Sequence, residues 1–135
     1  LNQVVLDASV VLKWFRAEGE DHREEALALR RAFEAGELAV YAPPLLWLEL
    51  LNLAARRWRW SAERLAALAA ELPALGFELS EPGLADLARW AAAGLTAYDA
   101  AYVALAEEAG VWLITADTGI LALAPDLAMP LAGDR

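Results

Sequence analysis

Apolar residues along the chain follow two rhythms. Gln3-Val4-Val5-Leu6-Asp7 and Val111-Trp112-Leu113-Ile114-Thr115 are short, largely β-branched or aliphatic runs without the polar alternation of a half-exposed strand, so they predict buried parallel strands. Leu38 to Tyr41, Phe77 to Ser80 and Ala128 to Leu131 predict three more. Between them the period becomes helical. Ser9 is expected to cap a helix carrying Val10 to Phe15. Asp21 to Ala35 places Ala26, Leu29, Ala32 and Phe33 on one face and is stopped by Gly36. Pro43 and Pro44 end the second strand and open a long helix, Leu45 to Trp60. Ser-Ala-Glu-Arg at Ser61 caps the next helix, which Pro73 is expected to close. Gly83 to Ala93, Ala97 to Ala109 and a short segment around Ile120 to Leu123 complete the helices. Strand alternating with helix predicts a three-layer α/β fold on a parallel sheet, where ligands gather outside the carboxyl ends of the strands.

Length fits one domain spanning 1-135, since 135 residues are enough for one core and too few for two. A hydrophobic fraction of 59% and a mean hydropathy of +0.34 exclude a disordered chain and leave apolar surface for a partner. The formal net charge of −9 excludes a protein that coats nucleic acid by bulk attraction; phosphates would have to be engaged locally, through metal or an Arg patch. Without cysteine there are no disulfides, thiolate metal sites or thiol nucleophiles, which suits a reducing cytoplasm. With His22 the single histidine, any metal must be held by oxygen. The start of the chain shows no basic leader. The longest apolar stretch, Leu38 to Ala55, is interrupted by Pro43, Pro44, Glu49 and Asn52, whereas a membrane span needs roughly 20 mostly apolar residues. A cytoplasmic protein without membrane contact is expected.

Four acidic residues stand at strand ends or in apolar surroundings. Asp7 closes the first strand, Asp117 follows the strand ending at Thr115, and Asp99 opens the helix carrying Tyr102, Val103 and Ala106. Glu49 sits among Leu48, Leu50, Leu51 and Leu53, where an uncompensated buried carboxylate costs several kcal/mol. Asn52, on the same helical face, is placed to orient it. Structural roles compete: Thr96 to Asp99 reads as a capping box, Asp117 as a helix cap, Asp7 as a turn former, and Glu49 as the partner of an arginine. If the four converge, their mutual repulsion calls for a cation, and oxygen-only ligation selects Mg²⁺ or Mn²⁺. The chemistry that follows is phosphodiester hydrolysis, with a metal that activates water and shields the phosphate.

These residues carry a resemblance. Val4-Val5-Leu6-Asp7-Ala8-Ser9-Val10-Val11-Leu12-Lys13-Trp14-Phe15 resembles the opening of PIN domains, in particular VapC-type toxin ribonucleases of bacterial toxin-antitoxin pairs. Ala42-Pro43 to Glu49 with Asn52, Gly94-Leu95-Thr96-Ala97-Tyr98-Asp99-Ala100-Ala101-Tyr102, and Ile114-Thr115-Ala116-Asp117 agree in order. The resemblance implies a five-stranded parallel sheet and a metal-dependent endoribonuclease. It places Asp7, Glu49, Asp99 and Asp117 on the family's acidic positions, both catalytic and metal-binding, with Ser9, Asn52 and Thr115 in support. It also implies a homodimer and a cognate antitoxin that covers a hydrophobic groove and blocks the acidic pocket. The chain departs from the pattern after Asp117, where relatives often carry basic residues and this one reads Thr118-Gly119-Ile120-Leu121.

Arg56-Arg57-Trp58-Arg59-Trp60 combines three guanidinium groups with two stacking surfaces and is the foremost candidate for RNA contact, against a solvated helix end with packed Trp side chains. Lys13 and Arg16 follow Asp7 closely enough to meet a phosphate near the pocket. Tyr98 and Tyr102 read as packing residues. Rival readings are an RNA-processing nuclease without antitoxin and a catalytically silent interaction module. Phospho-acceptor receiver domains and haloacid-dehalogenase-type phosphatases want a second acid beside the first-strand Asp and a late lysine, and Lys13 is the sole lysine.

Overall fold

A computed structural model of the chain describes residues 2–16 and 18–133. The strands are β1 (Gln3–Leu6), β2 (Ala39–Ala42), β3 (Glu78–Leu79), β4 (Trp112–Thr115) and β5 (Ala128–Pro130). All neighbouring pairs run parallel, in the order β3-β2-β1-β4-β5. The helices are α1 (Ala8–Phe15), α2 (Arg23–Glu34), α3 (Leu45–Arg56), α4 (Ala62–Ala74), α5 (Leu84–Ala92), α6 (Ala97–Ala109) and α7 (Thr118–Leu123). The result is the expected three-layer α/β/α arrangement around a five-stranded parallel sheet.

Each central strand is buried on both faces, which is why the sequence runs lack alternation. Val4, Val5 and Leu6 of β1 and Leu113 of β4 have no accessible surface. Helix α1 packs against α2 and α3, and α3 against α4, while α6 pairs with α5 and lies against β1, β2 and β4. Burial of every residue from Ala100 to Ala106 explains why α6 is apolar all round. Trp14, Phe33 and Phe77 form an aromatic cluster with centroids 5.1–6.0 Å apart. Within it, Trp14 Nε1 donates to the Ala26 carbonyl at 2.9 Å and ties α1 to α2.

Several boundaries differ from the sequence reading. Asp7, not Ser9, occupies the N-cap position of α1, without a side-chain cap bond, and Ser9 lies inside the first turn. Helix α3 stops at Arg56, short of Trp60, because Trp58 N–H turns back to the Leu53 carbonyl and Arg59 adopts a left-handed φ of 59°. Pro73 sits inside α4, which ends beyond it at Ala74, ahead of Gly76 with φ 96°. Ser61 does cap α4, accepting from Arg64 N–H at 3.2 Å.

Candidate active site

The chain lays down β1, β2 and β3 outward on one side, then returns to place β4 on the other side of β1. The connections from β1 and to β4 therefore lead to opposite sides of the sheet, and a crevice opens between these two parallel strands at their carboxyl ends. Asp7 follows the end of β1 and Thr115 ends β4. The backbone of α6 starts nearby, where Thr96 Oγ1 accepts from Asp99 N–H at 3.0 Å. Asp117 caps α7 by accepting from Ile120 N–H at 3.0 Å. The capping interactions read from sequence are thus present, and both acidic residues face the crevice while taking part in them.

A cavity of about 210 Å³ gathers Asp7, Ser9, Glu49, Asp99, Tyr102 and Asp117, with Ala8, Leu12 and Leu53 as its apolar wall. All four predicted acidic residues line it. No basic residue is among the described residues that line it.

Asp7 is the most enclosed of the four, 4% exposed. Ser9 Oγ donates to its Oδ1 and Thr115 Oγ1 donates to its Oδ2, each at 2.6 Å. Thr115 Oγ1 accepts from Asp117 N–H at 3.0 Å, and Ser9 Oγ accepts from Ala116 N–H at 2.9 Å. Two hydroxyls thereby lock the end of β1 to the segment following β4. Burial pushes the Asp7 carboxyl up to about 6; its two hydroxyl donors oppose this and the charges of Asp117 and Asp99 add to it. Burial also raises Asp99, with repulsion from Asp117 adding and the bond to Thr96 opposing.

Glu49, half-buried on α3, accepts a hydrogen bond from the Tyr102 hydroxyl on α6. Its carboxyl is raised by burial and by Asp99, with the tyrosine bond opposing. The partner of Glu49 is therefore a phenol and not an arginine. Tyr102 is itself buried, and loss of its proton is strongly disfavoured by that burial and by Glu49. Its place beside the acidic side chains went unread in the sequence, although three-residue spacing from Asp99 on one helix was the available signal.

Asn52 is exposed and lines a neighbouring shallow depression with Glu49, Leu48 and Tyr98, outside the acidic cavity. Lys13 does not present its charge to a phosphate: it is 6% exposed and its Nζ pairs with Glu20 at 3.0 Å. Arg56 and Arg57 are exposed at the end of α3. Arg16 and Arg59 line a separate cavity with Trp58, Trp60 and Arg64.

The donor set suits a hard divalent cation, being oxygen-only, rich in carboxylate and without a basic side chain among its described lining residues. Among the described residues no three acidic or histidine side chains form a ready-made metal cage. A cation that keeps much of its water is the kind such a site accommodates.

None of the curated proteins matches the chain in sequence. Among solved structures, that of PAE2754 from Pyrobaculum aerophilum is 25% identical with a TM-score of 0.68, the match covering 96% of this chain and 90% of that one. FitAcB from Neisseria gonorrhoeae shares the fold at 19% identity and a TM-score of 0.69, over 95% of this chain and 97% of its own. FitAB bound to an IR36 DNA fragment does so at 18% identity and a TM-score of 0.69, over 98% of each chain. The PIN domain family model matches residues 4–125, nearly the whole of the α/β fold that carries the acidic crevice, and the chain belongs to the PIN domain family.

Proposed function

We propose that this protein is a metal-dependent endoribonuclease and the toxin of a toxin-antitoxin pair. PIN domains are in general nucleases, and PIN-domain nucleases generally use divalent metals. The observation that carries the reading is the convergence of Asp7, Glu49, Asp99 and Asp117 on one cavity, with no basic side chain among its described lining residues.

Asp7, Asp99 and Asp117 are the side chains that would hold Mg²⁺ or Mn²⁺, with Glu49 completing the set. Bound there, the cation supplies an acidified water and offsets charge on the scissile phosphate. Ser9 and Thr115 fix the Asp7 carboxyl, so its remaining lone pairs keep one direction without reorganisation. Tyr102 holds Glu49 by donating to it, leaving the other carboxylate oxygen to orient or deprotonate a water. Leu12 and Leu53 keep one wall of the cavity apolar and strengthen the electrostatic interactions inside.

Exposed Leu48, Leu84 and Tyr98, at 67%, 82% and 62% of their surface, support protein partners, namely an antitoxin and a second copy of the chain. No described helix is long and apolar enough to cross a membrane.

The test is incubation of the purified chain with tRNA and rRNA in Mn²⁺ or Mg²⁺, beside an EDTA control and Asp99→Asn. Defined cuts lost in both controls are the expected result. An absence of cleavage together with an absence of divalent-ion binding by calorimetry would overturn the reading in favour of a silent interaction module.

A further inference from the structure

A cavity of about 640 Å³ lies outside the acidic crevice, where the end of α1 meets the turn between α3 and α4. Arg16, Arg59 and Arg64 line it together with Trp58 and Trp60. The indoles lie 5.2 Å apart between centroids. Arg16 stands 5.5 Å from the Trp58 ring centre, and Arg64 stands 3.9 Å from that of Trp60. The second distance leaves no room for a base between guanidinium and indole. Arg64 is instead held in place by the ring and offers its outer face.

We propose that this cavity is an accessory binding site for single-stranded RNA, seating a phosphate and an unstacked base beside the cleavage crevice. The inference rests on the nuclease reading given above. Three observations favour a nucleic acid strand over an acidic protein segment. First, the aromatic and guanidinium faces supply stacking surfaces that every base can use and that a peptide carboxylate does not need. Second, in a chain of net charge −9, three of the arginines meet in this one cavity and Arg56 and Arg57 are exposed beside it, a local attraction for a polyanion.

Third, the two cavities are joined by one helix. Ala8 and Ser9 of α1 line the acidic crevice, while Phe15 and Arg16 line the arginine-tryptophan cavity. Ser9 and the C-cap residue Arg16 are seven positions apart along α1, a rise of about 10 Å, within the reach of a few nucleotides. Glu18 lies in the same cavity with its Oε2 3.5 Å from Arg16 Nε, and an incoming phosphate would displace it.

The experiment measures binding of a fluorescein-labelled single-stranded RNA of about twelve nucleotides to the full chain by anisotropy, in EDTA so that cleavage is silent. The double variant Arg59→Ala/Arg64→Ala is expected to bind about tenfold or more weakly, with a reduced salt dependence. Arg31→Ala, which removes one positive charge from exposed α2 surface, should change affinity by less than about twofold, while Arg59→Ala alone should weaken binding more than that and Glu18→Gln should tighten it. Equal affinity of the double variant and the native chain overturns the proposal. So does polyglutamate of matched length binding as tightly as the RNA, which would reassign the cavity to an acidic protein segment. The two readings fail separately. Arginine-dependent RNA binding by a native chain that neither cleaves RNA nor binds Mn²⁺ leaves this site standing and removes the nuclease, whereas cleavage with unaltered binding by the double variant does the reverse.

Discussion

Thr115 Oγ1 donates to Asp7 Oδ2 at 2.6 Å, linking residues 108 apart in sequence across the two central strands. The same oxygen accepts from Asp117 N–H, so one hydroxyl orders two of the four acidic residues. Thr115→Val keeps the shape and removes both interactions. Because the lost partner is a buried carboxyl, the variant should be less stable by about 1–3 kcal/mol in urea denaturation and should bind Mn²⁺ about 10- to 100-fold more weakly by calorimetry.

Stability of the metal-free protein should fall as pH rises from about 4 to about 7. The Asp7 carboxyl is raised from 3.8 to about 6 in the fold, so the folded state favours the protonated form. That contribution is complete below the unfolded value and is lost as pH rises through the folded one, amounting to something on the order of 3 kcal/mol. Glu49 and Asp99 are raised as well and act in the same direction. Urea melts in EDTA across this range should show the decline, Asp7→Asn should flatten it by the largest share, and added Mn²⁺ should offset it.

Tyr102→Phe deletes the hydroxyl that donates to Glu49 and leaves the surrounding ring packing in place. The half-buried carboxyl then lacks its donor, which should cost about 1–2 kcal/mol. It should also move the pH profile of cleavage upward, because the bond to Tyr102 is what opposes the rise in the Glu49 pKa. Chemical denaturation and a pH–rate profile measured together separate a positioning role from simple loss of stability.

Trp14 in the core and Trp47 packed against it should respond differently to the same change. Trp14 Nε1 donates to the Ala26 carbonyl, so Trp14→Phe loses that bond and ring volume at an expected cost of about 2–3 kcal/mol. Trp47 Nε1 is buried and has no hydrogen-bond partner among the described residues. Trp47→Phe removes that unsatisfied donor along with ring volume, and the opposing effects should leave stability within about 1 kcal/mol of native. Thermal or urea melts of the two variants make the comparison directly.

Strands and helices were legible because buried parallel strands and amphipathic helices write different periods into the chain, and the five apolar runs correspond to β1 through β5. The placement of Asp7, Asp99 and Asp117 was legible from strand ends and a helix start. What local pattern could not carry was pairing across elements. Tyr102 meeting Glu49 depends on how α6 packs beside α3, and Lys13 meeting Glu20 depends on the turn after α1. The early end of α3 escaped for a related reason: Arg59 takes up a left-handed conformation to which its residue type gives no clue, and the rings of Trp58 and Trp60 on either side of it come together.

The position of β1 between β2 and β4 also sets a schedule for synthesis. A ribosome releases Asp7 and Glu49 early, but Asp99, Thr115 and β4 emerge only in the final third of the chain. Until then the middle of the sheet lacks a neighbour, and the carboxyl of Asp7 has neither the threonine that holds it nor the two later acids that complete its surroundings. Domains generally acquire their fold as units once their chain is available. In a chain laid out in this order the acidic crevice is incomplete until β4 and the segment after it have been made.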